Sequence, residues 1–145
     1  MRYAASMLIA LSAHPWAYPV LEVVHLWGIA LLIGNLMALE VRVWGAAVQL
    51  PTEALARLSL TLVALGFILA AASGLLMFAT QAQELLANRA FTVKMLLLML
   101  AGANAAWFHG RRSLQRLDRM ARALMLLSTV LWLGILCAGR WIAYV

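Results

Sequence analysis

The sequence predicts an all-α fold: an integral membrane, antiparallel four-helix bundle in which residues 1–145 form a single transmembrane domain with a short N-terminal interfacial segment. Three observations predict it. The chain is 66% hydrophobic and 11% charged, with a mean hydropathy of +0.95, whereas a water-soluble domain carries roughly 25% charged residues. Four apolar stretches without internal proline, at about 19–44, 55–80, 90–109 and 122–141, each approach the ~20 residues a spanning helix needs. The links at 49–52, 81–89 and 110–120 are short, so neighbouring helices should be antiparallel and no soluble domain is left over.

Met1 to Ala13 has a basic start at Arg2 and a short apolar run, as a signal peptide would. A cleavage site there would put Leu11 where a small residue is wanted, so the segment reads as interfacial instead. Pro15, Trp16, Tyr18 and Pro19 then mark the approach to the membrane. His14, in that approach, reads as a surface residue within reach of the outer polar layer described below.

The first span is apolar yet carries Glu22, His25, Glu40 and Arg42. Ionisable groups at membrane depth are expensive and mark function by default. At about 100° per residue, Glu22, His25, Ile29, Ile33, Leu36 and Glu40 share one stripe, which must look inward. In the second span Ser59, Gly66, Ala70, Ser73 and Met77 form a stripe of mostly small residues that lets backbones approach closely. The third span aligns Lys94, Leu98, Ala101, Ala105 and Arg112, flanked by Asn104, Phe108 and His109, and the fourth aligns Arg122, Leu126, Thr129, Leu133, Leu136 and Arg140.

Orientation follows from the third link, where Arg111, Arg112, Arg116, Arg119 and Arg122 face a single acid, Asp118. That link should be cytoplasmic, which puts both termini outside the cytoplasm. The same residues account for the net charge of +6 without any nucleic acid, since five of the eleven basic residues crowd this one link beside apolar spans. A lone cysteine, Cys137, excludes an intrachain disulfide framework and a thiolate zinc site.

Placing each residue by a rise of ~1.5 Å sorts the polar groups into two layers. Glu22, His25, Met77, Lys94 and Arg140 fall about 9 to 13 Å outside the midplane; Glu40, Arg42, Arg57, His109, Arg111 and Arg122 fall at similar or greater depth on the other side. One reading of the outer layer is structural, with Glu22 offsetting Lys94 or Arg140 and His25 bonding a neighbouring helix. The other makes His25 an axial ligand to haem iron, Met77 a candidate second ligand, and Lys94 and Arg140 partners of the propionates. A single haem shared by His25 and His109 is excluded by their separation of ~20 Å along the membrane normal. His109, beside Arg111 and Arg112, also suits a helix C-terminus as a cation favoured by the dipole.

Other chemistries find no footing. The chain has no glycine-rich phosphate loop and no Cys/His zinc pattern, and Glu22-Val23-Val24-His25 lacks the second ExxH of a di-iron bundle. No serine nucleophile has a base at matching depth, so an electron-transfer protein is expected before a catalyst.

The blocks YPVLEVVHLWGIALLIGN, LEVRVWG, ANRAFTVKMLLLMLAGANAAWFH and AGRWIAY resemble the signature segments of an uncharacterised family of small four-helix bacterial inner-membrane proteins. That family is similar in outline to the copper-resistance D-type membrane proteins and to small b-type cytochromes. The resemblance covers most of the chain from Trp16 onward, with Asn88-Arg89-Ala90-Phe91 standing where the family shows Asn-Pro-Ala-Phe. It implies an inner-membrane location and points to Glu22, His25, Glu40, Arg42, Lys94, Asn104, His109 and Arg140. It favours haem b, ligated by His25 with His109 a further candidate ligand, with Lys94, Arg140, Arg111 or Arg112 holding propionates and electrons passing to a membrane redox partner. The alternatives are a cofactor-free accessory or assembly subunit and a small transporter or copper-handling protein, with Glu22 and His25 as the proton or copper site. Against transport, no span is broken or interrupted by proline. Gly28, Gly34, Gly66, Gly74 and Gly102 would allow self-association into a homo-oligomer.

Overall fold

The computed structural model describes residues 14–145, and the expected interfacial segment Met1 to Ala13 lies outside the described residues. Helices α1 (Ala17–Val43), α2 (Thr52–Thr80), α4 (Arg89–Gly110) and α6 (Arg119–Trp141) are long. Two short helices, α3 (Ala82–Ala87) and α5 (Ser113–Arg116), lie in the second and third links, and a 3-10 turn, Ile142–Tyr144, follows α6. No strand occurs among the described residues. The four long helices are each long and apolar enough to cross a membrane, as a multi-pass membrane protein requires.

The helix starts fall one to three residues before the apolar runs, and polar side chains cap α4 and α6. Asn88 Oδ1 accepts from the Ala90 and Phe91 amides at 2.8 and 3.2 Å, and Asp118 Oδ1 accepts from the Ala121 amide at 2.8 Å. Each satisfies donors that the first turn leaves without an intrahelical acceptor. At the end of α1 the chain turns back through Gly45 (φ +99°) and Ala47 (φ +50°). Arg42 folds onto that turn, donating from Nε to the Leu50 carbonyl at 2.9 Å.

The small residues of α1 and α2 meet where the sequence places them. A Cβ on Gly28 would stand 2.7 Å from the Gly66 carbonyl oxygen, and one on Gly66 would stand 2.6 Å from the Gly28 oxygen, so the two backbones touch. Along this seam His25 lies against Ala70 and Ser73, while Leu39 and Val43 cluster with Ala56. Helices α4 and α6 make a second pair around Ala101, Leu131 and Ile135.

The two pairs are joined at one end. Leu39 and Val43 of α1, Ala56 of α2, Phe108 of α4, and Ala121 and Met125 of α6 form a single buried cluster there, called below the Glu40 end. Two polar links brace it: the Thr129 hydroxyl donates to Glu40 Oε2, and Asn104 Nδ2 donates to the Leu124 carbonyl at 3.0 Å. At the opposite end α2 and α4 are held across α3 by the stacked rings of Phe78 and Phe91, with centroids 5.5 Å apart. Helices α1 and α6 there leave a cavity between them.

Three stripes differ from expectation. On α1 the buried line is Gly28, Leu32, Leu39 and Val43, one position from the expected stripe, and Glu22 is exposed. On α4 it is Ala101, Asn104 and Phe108, while Ala105 and Arg112 are exposed. On α6 the buried line is Ala121, Met125, Leu131, Ile135 and Ala138, while Arg122, Leu126, Leu133 and Arg140 are exposed. The helix is rotated by about one position because both arginines sit near its ends, where a long cationic side chain reaches outward to water and headgroups.

Candidate functional site

Helix packing makes the cavity at the His25 end. Its walls come from α1 (Tyr18, Glu22, His25), α2 (Gly74, Met77, Phe78), α4 (Phe91, Lys94) and α6 (Gly139, Arg140), with α3 and Asn88 at the rim. The volume is about 980 Å³, the upper end of the roughly 300–1,000 Å³ range of small-molecule sites. A mostly apolar lining interrupted by a few polar side chains is the usual make-up of such a site.

His25 is held by α2. Its Nδ1 lies 2.8 Å from the Ala70 carbonyl oxygen and 3.1 Å from Ser73 Oγ. A carbonyl oxygen only accepts, so Nδ1 carries the proton and Nε2 keeps its lone pair. Nε2 has no hydrogen-bond partner among the described residues. Ser73 Oγ donates to the Leu69 carbonyl at 2.6 Å, so its lone pairs are left for the ring. Gly74 completes the seat, since a Cβ there would come within 3.2 Å of His25 Cε1.

Lys94 enters from the other side. Its stem runs over Gly139, where a Cβ would stand 3.4 Å from Nζ and 3.6 Å from Cε. No carboxylate lies within 4.0 Å of it; the ion pairs among the described residues are Arg57 with Glu53 and Arg111 with Asp118. Glu22 lines the same cavity without pairing to Lys94 or Arg140 at that distance. Arg140 turns to Tyr144, donating to its hydroxyl at 2.7 Å with the guanidinium 5.1 Å from the ring centre.

The structure thus brings Glu22, His25, Met77, Lys94 and Arg140 around one cavity. It does not bring His109, Arg111 or Arg112 to it. His109 is exposed and lies 15 residues beyond Lys94 on α4, about 22 Å along the axis. Arg111 pairs with Asp118 at 2.9 Å, and Arg112 is exposed. Glu40 and Asn104 brace the Glu40 end, and Arg42 serves the first turn. His14 is exposed before α1. No three His, Cys, Asp or Glu side chains converge among the described residues.

Sequence reasoning missed the partners that give these groups their geometry. Ser73 stands out only as a small residue, and Gly74 and Gly139 only as glycines; the Ala70 carbonyl has no sequence signal at all. Asn88 was legible as a residue before a span, but its second task was not. Its Nδ2 donates to the carbonyls of Ile142 and Val145 at 3.2 and 2.8 Å, tying the C-terminal turn to the cavity rim. No family model, curated protein or solved structure matches the chain.

Proposed function

We propose that the chain is an antiparallel four-helix bundle of the bacterial inner membrane, with both termini outside the cytoplasm, that holds b-type haem at its His25 end for transmembrane electron transfer. The observation that carries this reading is the His25 ring, with Nδ1–H spent on the Ala70 carbonyl and Nε2 unpartnered at a cavity of about 980 Å³. Histidines that bind metals donate their other ring N–H to a carbonyl or carboxylate in this manner, which fixes both tautomer and ring orientation.

The surrounding residues suit the group. Phe78, Phe91 and Ile135 supply apolar contact for a macrocycle, and Lys94 and Arg140 supply positive charge for its propionates. Haem would provide one-electron redox chemistry; the chain's own residues ligate it, orient it and keep water from its faces. Electrons would pass to a redox partner within the membrane. His109 stands too far along α4 to share this site, so any haem there would be a second one. The copper reading, with Glu22 and His25 as the site, has less support, since no three His, Cys, Asp or Glu side chains converge among the described residues.

The accessory-subunit reading draws on a different observation. The Glu40–Thr129 and Asn104–Leu124 hydrogen bonds fix helix register with no cofactor needed. One absorption spectrum separates the two. Protein expressed with ample haem is expected to purify with a Soret band that is lost in His25→Ala and kept in His14→Ala. Colourless protein under those conditions overturns the haem reading and leaves the subunit reading standing.

A further inference from the structure

We propose that Lys94 is the second axial ligand to the iron, facing His25 across the cavity, and that Met77 is not. This assignment rests on the haem reading above. Axial ligands approach a planar macrocycle from opposite faces, so the second must come from a wall other than the one that seats the first. The seat of His25 is made by Ala70, Ser73 and Gly74 of α2. Met77 belongs to the next turn of that same helix, four residues and about 6 Å along the axis from Ser73. It therefore stands beside His25 on one wall and displaced from it.

Lys94 comes from α4, in the other helix pair. Its stem lies in the trough that Gly139 leaves on α6, so the nitrogen is delivered to the cavity by contacts with both helices of that pair. A cationic nitrogen in an apolar wall ordinarily finds a carboxylate. Lys94 has neither a hydrogen bond nor an ion pair among the described residues, although Glu22 and Glu84 line the same cavity. Ligation accounts for that isolation. The Lys94 amine would bind after its ammonium gave one proton to bulk water, with no change of oxidation state. Propionate contact then falls to Arg140, which is exposed at the cavity mouth beside Tyr144.

The test uses full-length protein loaded with haem in detergent or nanodiscs. Wild type is expected to be low-spin in the ferric state, without the near-infrared charge-transfer band of a thioether–iron bond. Lys94→Ala is expected to keep its haem through His25 and become high-spin, and Met77→Leu is expected to stay low-spin. Lys94→Arg preserves the positive charge but offers no amine, so it too should become high-spin. It also serves if the alanine variant folds poorly. A low-spin Lys94→Arg protein, or a high-spin Met77→Leu protein, overturns the assignment while leaving haem binding intact. Absence of any Soret band in wild type overturns the haem reading itself, and this assignment with it.

Discussion

The chemistry of the His25 imidazole is set by two acceptors rather than one. Nδ1–H points to both the Ala70 carbonyl and Ser73 Oγ, whose own proton is committed to Leu69. In the proposed haem site, acceptors at the remote nitrogen would raise the basicity of the ligating one and so stabilise the ferric state. Ser73→Ala should therefore keep the haem and raise its midpoint potential, as measured by a spectroscopic redox titration. An unchanged potential removes Ser73 from the tuning of the site. Gly74→Ala acts differently: its Cβ would press to 3.2 Å from Cε1, tighter than an unstrained contact, and the ring is expected to be displaced. The readout is haem content per protein, which should fall while the helical circular dichroism is kept. Ser73 belongs to the stripe of small residues legible in the sequence as packing, and Gly74 is the next residue along α2. Their second role was hidden because it depends on a backbone carbonyl of α2 and on which face of α1 meets it.

Among the elements, the α1–α2 seam is the tightest. Gly66→Leu would drive a side chain into the backbone of α1 at Gly28 and Leu32, and overpacking of this kind costs about 1–3 kcal/mol. Unfolding in mixed micelles followed by circular dichroism should show that loss, whereas Gly102→Leu, on open surface, should change little. The link between α4 and α6 has a pH-dependent clasp. The Ala121 amide holds the Asp118 carboxyl below the usual carboxylate range; partial burial pulls the other way, and the hydrogen bond and charge of Arg111 add to the lowering. A carboxyl whose folded pKa lies below its unfolded one adds stability that is complete above the unfolded value of about 3.9 and is lost as pH falls through the folded one. Asp118→Asn should thus be less stable than wild type at pH 7, and the difference should close on acidification below about pH 4. The four spans and the small-residue stripe of α2 could be read from sequence because hydropathy and side-chain volume decide them. The rotation of α6 could not, since Arg122 and Arg140 read as inward polar groups until their nearness to the helix ends lets them reach outward.

At the scale of the molecule, two helix pairs close together at the Glu40 end and part at the His25 end, so the polar chemistry is placed near one face of the membrane. The separation of His25 from His109 was legible from counting along the spans. The cavity was not, because part of its wall is the short helix α3, in a segment that hydropathy treats as a plain link. The proposed orientation rests on the arginines. Arg42, Arg57 and Arg111 at the Glu40 end are engaged with carbonyls or acids within the chain. Arg112, Arg116, Arg119 and Arg122 at the same end are exposed and unpaired among the described residues. Unpaired basic residues close to span ends favour retention in the cytoplasm, and the proposed orientation accordingly has the His25 cavity at the outer face. With Cys137 replaced by Ala, single cysteines at Gln83 in α3 and Gln115 in α5, both exposed, report the two faces. A membrane-impermeant maleimide added to spheroplasts should label Gln83→Cys at once and Gln115→Cys only after the membrane is opened. The reverse pattern would put the cavity on the cytoplasmic face, and in the proposed function electrons would then enter or leave from that side.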